Sequence, residues 1–185
     1  MKPDLFLLAE AEETNLFEQG APYACYGWEI HHLMNDVARQ RVRVTAMRDW
    51  LYADLRRYPR SAMRLAFTSN HDENTWSGSE FTRLGDAREI MTVFTFVMPG
   101  GLPLIYTGQE IGYDHSFSFF DRDPIPSYGA NWHTGFYRRL TAMRHSCPAL
   151  ASGERGGEMI EIRNNAEDCL MTFVREVEAT GWWPS

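Results

Sequence analysis

MRLAFTSNHDEN, residues 63–74, is the stretch on which the fold turns. Met63 to Thr68 is a short, mostly apolar run, and the chain becomes polar at once from Ser69 to Asn74. Such a run reads as a strand, with a polar loop after it. Downstream, Asp86–Met98 reads as a helix with an apolar face. Pro99-Gly100-Gly101 breaks it, and Leu102–Tyr106 reads as another buried strand. Upstream, Thr45 is placed to cap a helix over Ala46–Tyr58, with Met47, Trp50, Leu51 and Leu55 on one face and Pro59 after it. Before that, Trp28–Arg39 carries Ile30, Leu33, Met34 and Val37 at helical spacing. Tyr23–Tyr26 and Leu5–Ala9 are the remaining short runs, and Leu5–Ala9 is expected to be a fully buried strand. Ser69–Gly85 and Thr107–Gly129 read as polar loops.

Strand and helix thus alternate, which predicts an α/β fold with a parallel sheet and helices outside it. Long loops after strands, rich in acids and aromatics, are what an α/β barrel uses for its active face. Asn131 is expected to cap a helix to about His145. Pro148 and the Gly153, Gly156 and Gly157 cluster mark a boundary. Met159–Arg163 and Cys169–Glu176, separated by Asn164–Asp168, form a hairpin signal. The chain divides on this reading into 1–149 and 150–185, and the end at Gly181–Ser185 looks abrupt.

Composition narrows the function. Of 185 residues, 44% are hydrophobic and 23% charged, the balance of a chain that buries a core. The net charge of −7 disfavours a phosphate-backbone partner, so no nucleic acid is expected. The clusters Arg39, Arg41, Arg43 and Arg56, Arg57 are flanked by acids and read as solvated helix faces. No apolar run approaches the roughly 20 residues of a membrane span, and none is expected. The run Leu5–Ala9 is too short for a signal-peptide core. Cys25, Cys147 and Cys169 are odd in number and widely spaced, which suggests free buried thiols rather than a zinc ribbon or a disulfide framework.

Three strings follow strands and bring chemistry. Glu10 stands directly after Leu5–Ala9, where apolar neighbours would raise its pKa and suit it to donate a proton. Asn70, His71, Asp72 and Asn74 follow the strand at 63–68. Gln109 and Glu110 follow the strand at 102–106. Two carboxylates from two strand ends can face a shared sugar, the arrangement that glycoside hydrolysis requires. Trp76, Phe117, Phe119, Phe120 and Trp132 fall in loops on the same expected face, and some of them, Trp76 first, are candidates to stack on sugar rings. His31 and His32 are adjacent on a helix, a spacing unsuited to joint metal binding, and read as packing or surface residues.

In this order, FLLAEAE (6–12), FTSNHDEN (67–74) and GLPLIYTGQE (101–110) resemble the fifth-, seventh- and eighth-strand motifs of the α-amylase family of glycoside hydrolases. WEIHHLMNDVA (28–38) resembles the sixth strand-and-helix unit of bacterial α-amylases of the starch-utilisation type. The resemblance runs from about Pro3 to Glu176. It implies a partial (β/α)8 TIM barrel, strands 5 to 8 with their helices, followed by the truncated start of a C-terminal β domain. It implies Glu10 as general acid/base, Asp72 as the carboxylate that stabilises the transition state, and His71 as a hydrogen-bond partner of sugar hydroxyls. Asn70, Asn74 and Trp76 are added as substrate-binding candidates. Gly101, Pro103, Tyr106, Gly108 and Glu110 match a signature that is chiefly structural.

The implied activity is retaining hydrolysis of α-1,4-glucosidic bonds in starch or maltodextrins, with an α-glucan or maltooligosaccharide as partner. The family's nucleophile is an aspartate in a Gly-x-Arg-x-Asp string, which these 185 residues do not contain. The chain alone is therefore expected to be inactive. The alternatives are a non-catalytic carbohydrate-binding protein derived from an amylase, and a half-enzyme that needs a separate N-terminal half. No cofactor is expected, calcium in this family drawing on a segment outside the chain. Open barrel edges predict a homo-oligomer.

Overall fold

A computed structural model describes residues 5–18 and 23–177. The N-terminal Met1–Asp4 and the tail at Gly181–Ser185 lie outside the described residues. The elements are β1 (Leu8–Ala9), α1 (Asn15–Glu18), β2 (Ala24–Tyr26), α2 (Trp28–Ala38), α3 (Thr45–Arg57), β3 (Met63–Ala66), α4 (His71–Ser77), α5 (Glu80–Leu84), α6 (Arg88–Val97), β4 (Gly101–Pro103), α7 (Trp132–Ser146), β5 (Glu158–Glu161) and β6 (Phe173–Glu176). Strands β1 to β4 form one parallel sheet in sequential order. Strands β5 and β6 form a separate antiparallel pair. No described helix is long and apolar enough to cross a membrane.

Alternation along the strands sorts side chains onto the two faces of the sheet. Ala66 faces the helices and joins Ile30, Met34, Met47, Trp50, Leu51, Met91 and Phe94 in the main core. Leu65 and Phe67 face the other way and pack with Tyr26, Leu102 and Leu104. Arg64 also points to the helix side, where burying its charge is tolerated because Asp54 of α3 lies 2.6 Å from its Nη2. Gly100 is required beside it: φ is 67°, and a Cβ there would collide with the Arg64 guanidinium. The hairpin leans on the same core through Met159, and Arg175 Nη1 donates to Val97 O at 2.8 Å.

Several expectations need correction. Leu5–Ala9 is not a fully buried strand: only Leu8–Ala9 pairs, and Leu5, Phe6 and Leu8 are exposed. Its position explains this, since β1 is the sheet's edge and has a strand neighbour on one side only. Thr45 is the first residue of α3 rather than its cap, and Val44 before it makes no side-chain cap bond. The strand expected over Leu102–Tyr106 is instead Gly101–Pro103, and Ile105 is exposed.

The stretch 69–85 is not a loop but two short helices. Asn70 caps α4 by accepting from Glu73 N, and Ser79 caps α5 by accepting from Thr82 N. Polar residues that read as loop are equally the preferred N-caps. Asn131 caps α7 with a full capping box, as expected. The three cysteines are free, but only Cys25 is buried: Cys147 is half-buried and Cys169 is exposed. Arg39, Arg41, Arg43 and Arg57 donate to Arg83 O, Asp36, Asp168 and Glu29.

Candidate active site

Glu10 follows β1 directly, and His71 and Asp72 open α4 beyond the end of β3. Parallel pairing brings these strand ends to one side of the sheet. His71 Nε2 lies 3.7 Å from Glu10 Oε1 and 3.6 Å from Asp72 Oδ1. One donor atom from each of the three residues falls within 4.8 Å of the others. The cluster is open, with Glu10 59% and His71 49% exposed. The sheltered setting expected for Glu10 is therefore not provided by the described residues, because β1 is an edge.

Two tyrosines flank the pair. The Tyr26 hydroxyl is pushed up by burial, then by the charges of Glu10 and Asp72. The Tyr106 hydroxyl is pushed up by burial, then by the charge of Asp72. Sequence reasoning did not single out Tyr26 for the site, because an apolar strand is an ordinary place for a tyrosine.

Asn70 and Asn74 are brought near but do not face the opening. Asn70 is buried and caps α4. Asn74 is buried and holds a loop: its Nδ2 donates to His115 O at 2.8 Å and its Oδ1 accepts from Phe117 N at 2.7 Å. Thr75 Oγ1 donates to Phe117 O at 2.9 Å. These bonds fix the loop's aromatics beside α4. Phe119 lies 6.4 Å from the His71 ring and 5.5 Å from the Trp76 ring, and Phe120 is 4.9 Å from Phe119. Trp76, Phe119 and Phe120 are all exposed, so an apolar platform adjoins the carboxylates. Trp132 is also exposed but stacks on Phe136 of α7.

A buried polar layer that the sequence did not reveal lies behind this surface. Glu80 accepts from Thr68 Oγ1 at 2.8 Å and also from Gln109 Nε2. Burial pushes the Glu80 carboxyl up, and those two bonds oppose the shift. Arg83 donates to Gly78 O, Asn35 Oδ1, Thr68 O and Ser69 Oγ. His31 is fully buried: its Nδ1 is 3.0 Å from Phe67 O and its Nε2 is 3.1 Å from Glu73 Oε2. The His31 hydrogen bond, foremost, holds the Glu73 carboxyl down to about 2. His32 is exposed. Glu12, in the loop after β1, accepts from Glu29 N at 2.8 Å and so satisfies an open donor at the start of α2.

No protein-family model matches the chain, and no curated protein matches it by sequence. Solved structures do match. A maltogenic α-amylase from Thermotoga neapolitana superposes with a TM-score of 0.78 at 21% identity, over 92% of this chain and 39% of that one. A cyclomaltodextrinase gives 0.73 at 22% identity, over 96% and 31%. The chain shares its α/β fold with the matched parts of these α-amylase-family structures. A debranching enzyme from Nostoc punctiforme, in an acarbose-soaked crystal, gives 0.71 at 18% identity, over 95% and 40%. The chain thus spans about two fifths or less of the length of these α-amylase-fold structures.

Proposed function

We propose that this chain is the part of a retaining α-glucan hydrolase barrel that carries the acid/base. Residues 1–149 would supply strands 5 to 8 of a TIM barrel, and residues 150–185 the start of a C-terminal β domain. The sequential parallel order β1-β2-β3-β4 supports the first assignment, since barrel strands neighbour one another in chain order. The observation that carries the functional reading is the convergence of Glu10, His71 and Asp72 at the ends of β1 and β3. Glu10 would protonate the leaving glycosidic oxygen and then activate water. Asp72 would stabilise positive charge developing on the sugar, and His71 would bind its hydroxyls. Trp76 and Phe119 would stack on neighbouring glucose units. Asn70 and Asn74 would act by holding α4 and the aromatic loop.

A retaining mechanism needs a nucleophilic carboxylate about 5–5.5 Å from the acid/base. Asp72 is assigned another role, so the attacking group would come from outside these 185 residues. The open edge of β1 is where further strands would pair. Self-association through it is the behaviour expected of the chain alone, and a monodisperse monomer in light scattering would remove that element.

The test pairs turnover with binding. The chain should bind a blocked chromogenic maltooligosaccharide without cleaving it, and His71→Ala should lose that binding. Cleavage that disappears in Glu10→Gln would overturn the outside-nucleophile reading. Absence of any binding would overturn the glucan reading.

A further inference from the structure

The pair formed by His31 and Glu73 poses a chemical question. His31 Nδ1 is 3.0 Å from the Phe67 carbonyl, which can only accept, so Nδ1 carries a hydrogen. In the neutral ring Nε2 then presents a lone pair. It presents it to a carboxylate oxygen 3.1 Å away. Two acceptors at that distance need a positive charge between them, a proton or a metal ion.

A third group distinguishes the two. A ring nitrogen of His32 lies within 4.8 Å of both other donor atoms, although adjacent helix residues ordinarily diverge. A proton bridge has no use for a third donor, whereas a metal ion does. Trp28 orients the set: it meets the His31 ring edge-on at 6.3 Å and stacks on His32 at 6.2 Å. The hydrogen bond from Nδ1 to a backbone carbonyl is also the usual outer support of a metal-binding histidine. Asn35 Nδ2 carries two hydrogens: one goes to His31 O at 2.8 Å and the other is within reach of Nε2 at 3.2 Å, a neutral contact that leaves the carboxylate oxygen facing the same nitrogen and that a bound ion would replace, while Arg83 Nη1 holds the Asn35 Oδ1. Arg83 is the nearby opposing charge.

We propose that His31, His32 and Glu73 form a binding site for one divalent transition-metal ion of the zinc class, linking α2 to α4. Zinc bonds of about 2.0–2.1 Å at tetrahedral angles separate ligand atoms by about 3.4 Å. The His31–Glu73 spacing already suits this, and exposed His32 can close on the ion. Two imidazoles and one carboxylate leave a fourth position for water. The ion would brace the helix that carries His71 and Asp72. The proposal stands on its own geometry and does not depend on the hydrolase reading.

The experiment uses the untagged chain, stripped with chelator and titrated with Co²⁺ as a spectroscopic probe and with Zn²⁺ in competition. The expected result is a saturable visible band of one equivalent, displaced by Zn²⁺, and weakened at least about 10-fold in His32→Ala. His32 is exposed, so that variant should fold. His71→Ala, which alters the other three-donor cluster, should leave the band unchanged. No saturable band, a band indifferent to His32→Ala, or a band lost in His71→Ala would each overturn the proposal, the first two leaving a proton between His31 and Glu73.

Discussion

Asp72 and Glu73 are neighbours in one helical turn and occupy opposite settings. The Asp72 side chain is 35% exposed and belongs to the open cluster with Glu10 and His71. Glu73 is 15% exposed and faces a histidine that solvent does not reach. The cause is helix geometry: successive residues project about 100° apart, so α4 shows one side to the opening and another to α2. A carboxylate with a buried partner holds the scaffold. A carboxylate among solvated neighbours is left free to meet a ligand.

That contrast can be broken from the buried side first. Arg83→Met removes a guanidinium that four groups accept from. It should cost about 3–5 kcal/mol in urea unfolding, because buried Asn35 Oδ1, Thr68 O and Ser69 Oγ lose their donor at about 1–3 kcal/mol each. A loss below about 1 kcal/mol would mean that the buried layer does not hold the site.

Glu73→Gln, in chelator, should cost about 1.5–3 kcal/mol at neutral pH, the range for a hydrogen bond to a charged group. The sign with pH is fixed. The carboxyl is lowered from 4.5 to about 2, so its contribution is complete above 4.5 and is lost as pH falls toward about 2. Wild-type stability should decline through that window more steeply than the variant's, and parallel curves would dissolve the contrast.

Asn74→Ala should cost about 1–2 kcal/mol, since it releases two bonds to the loop at 115–117. It should also weaken maltooligosaccharide binding by freeing Phe119. The smallest stability effects belong to the open side. His71→Ala and Trp76→Ala should change stability by less than about 0.5 kcal/mol. Both should lose glucan binding in a fluorescence titration. A large destabilisation from either would erase the distinction between holding and binding residues.

Much of this was legible along the chain. The order of strands and helices followed from apolar runs, helical spacing and breakers such as Pro59 and Pro99-Gly100, because these are properties of neighbouring residues. The three strings around Glu10, His71-Asp72 and Gln109-Glu110 were visible because they follow those runs directly. The helices α4 and α5 were hidden, since Asn70 and Ser79 serve turns and caps alike and only the backbone ahead of them decides which.

Tertiary structure alone decided the rest. It exposed Leu5, Phe6 and Leu8 by placing β1 at an edge, and it left Glu10 in the open for the same reason. It joined Thr68, Glu80 and Gln109, which lie far apart in the chain. It set His31 against Glu73 across 42 positions and turned His32 toward both. Periodicity records which face a residue takes on its own helix or strand, but not what the rest of the chain brings to meet it.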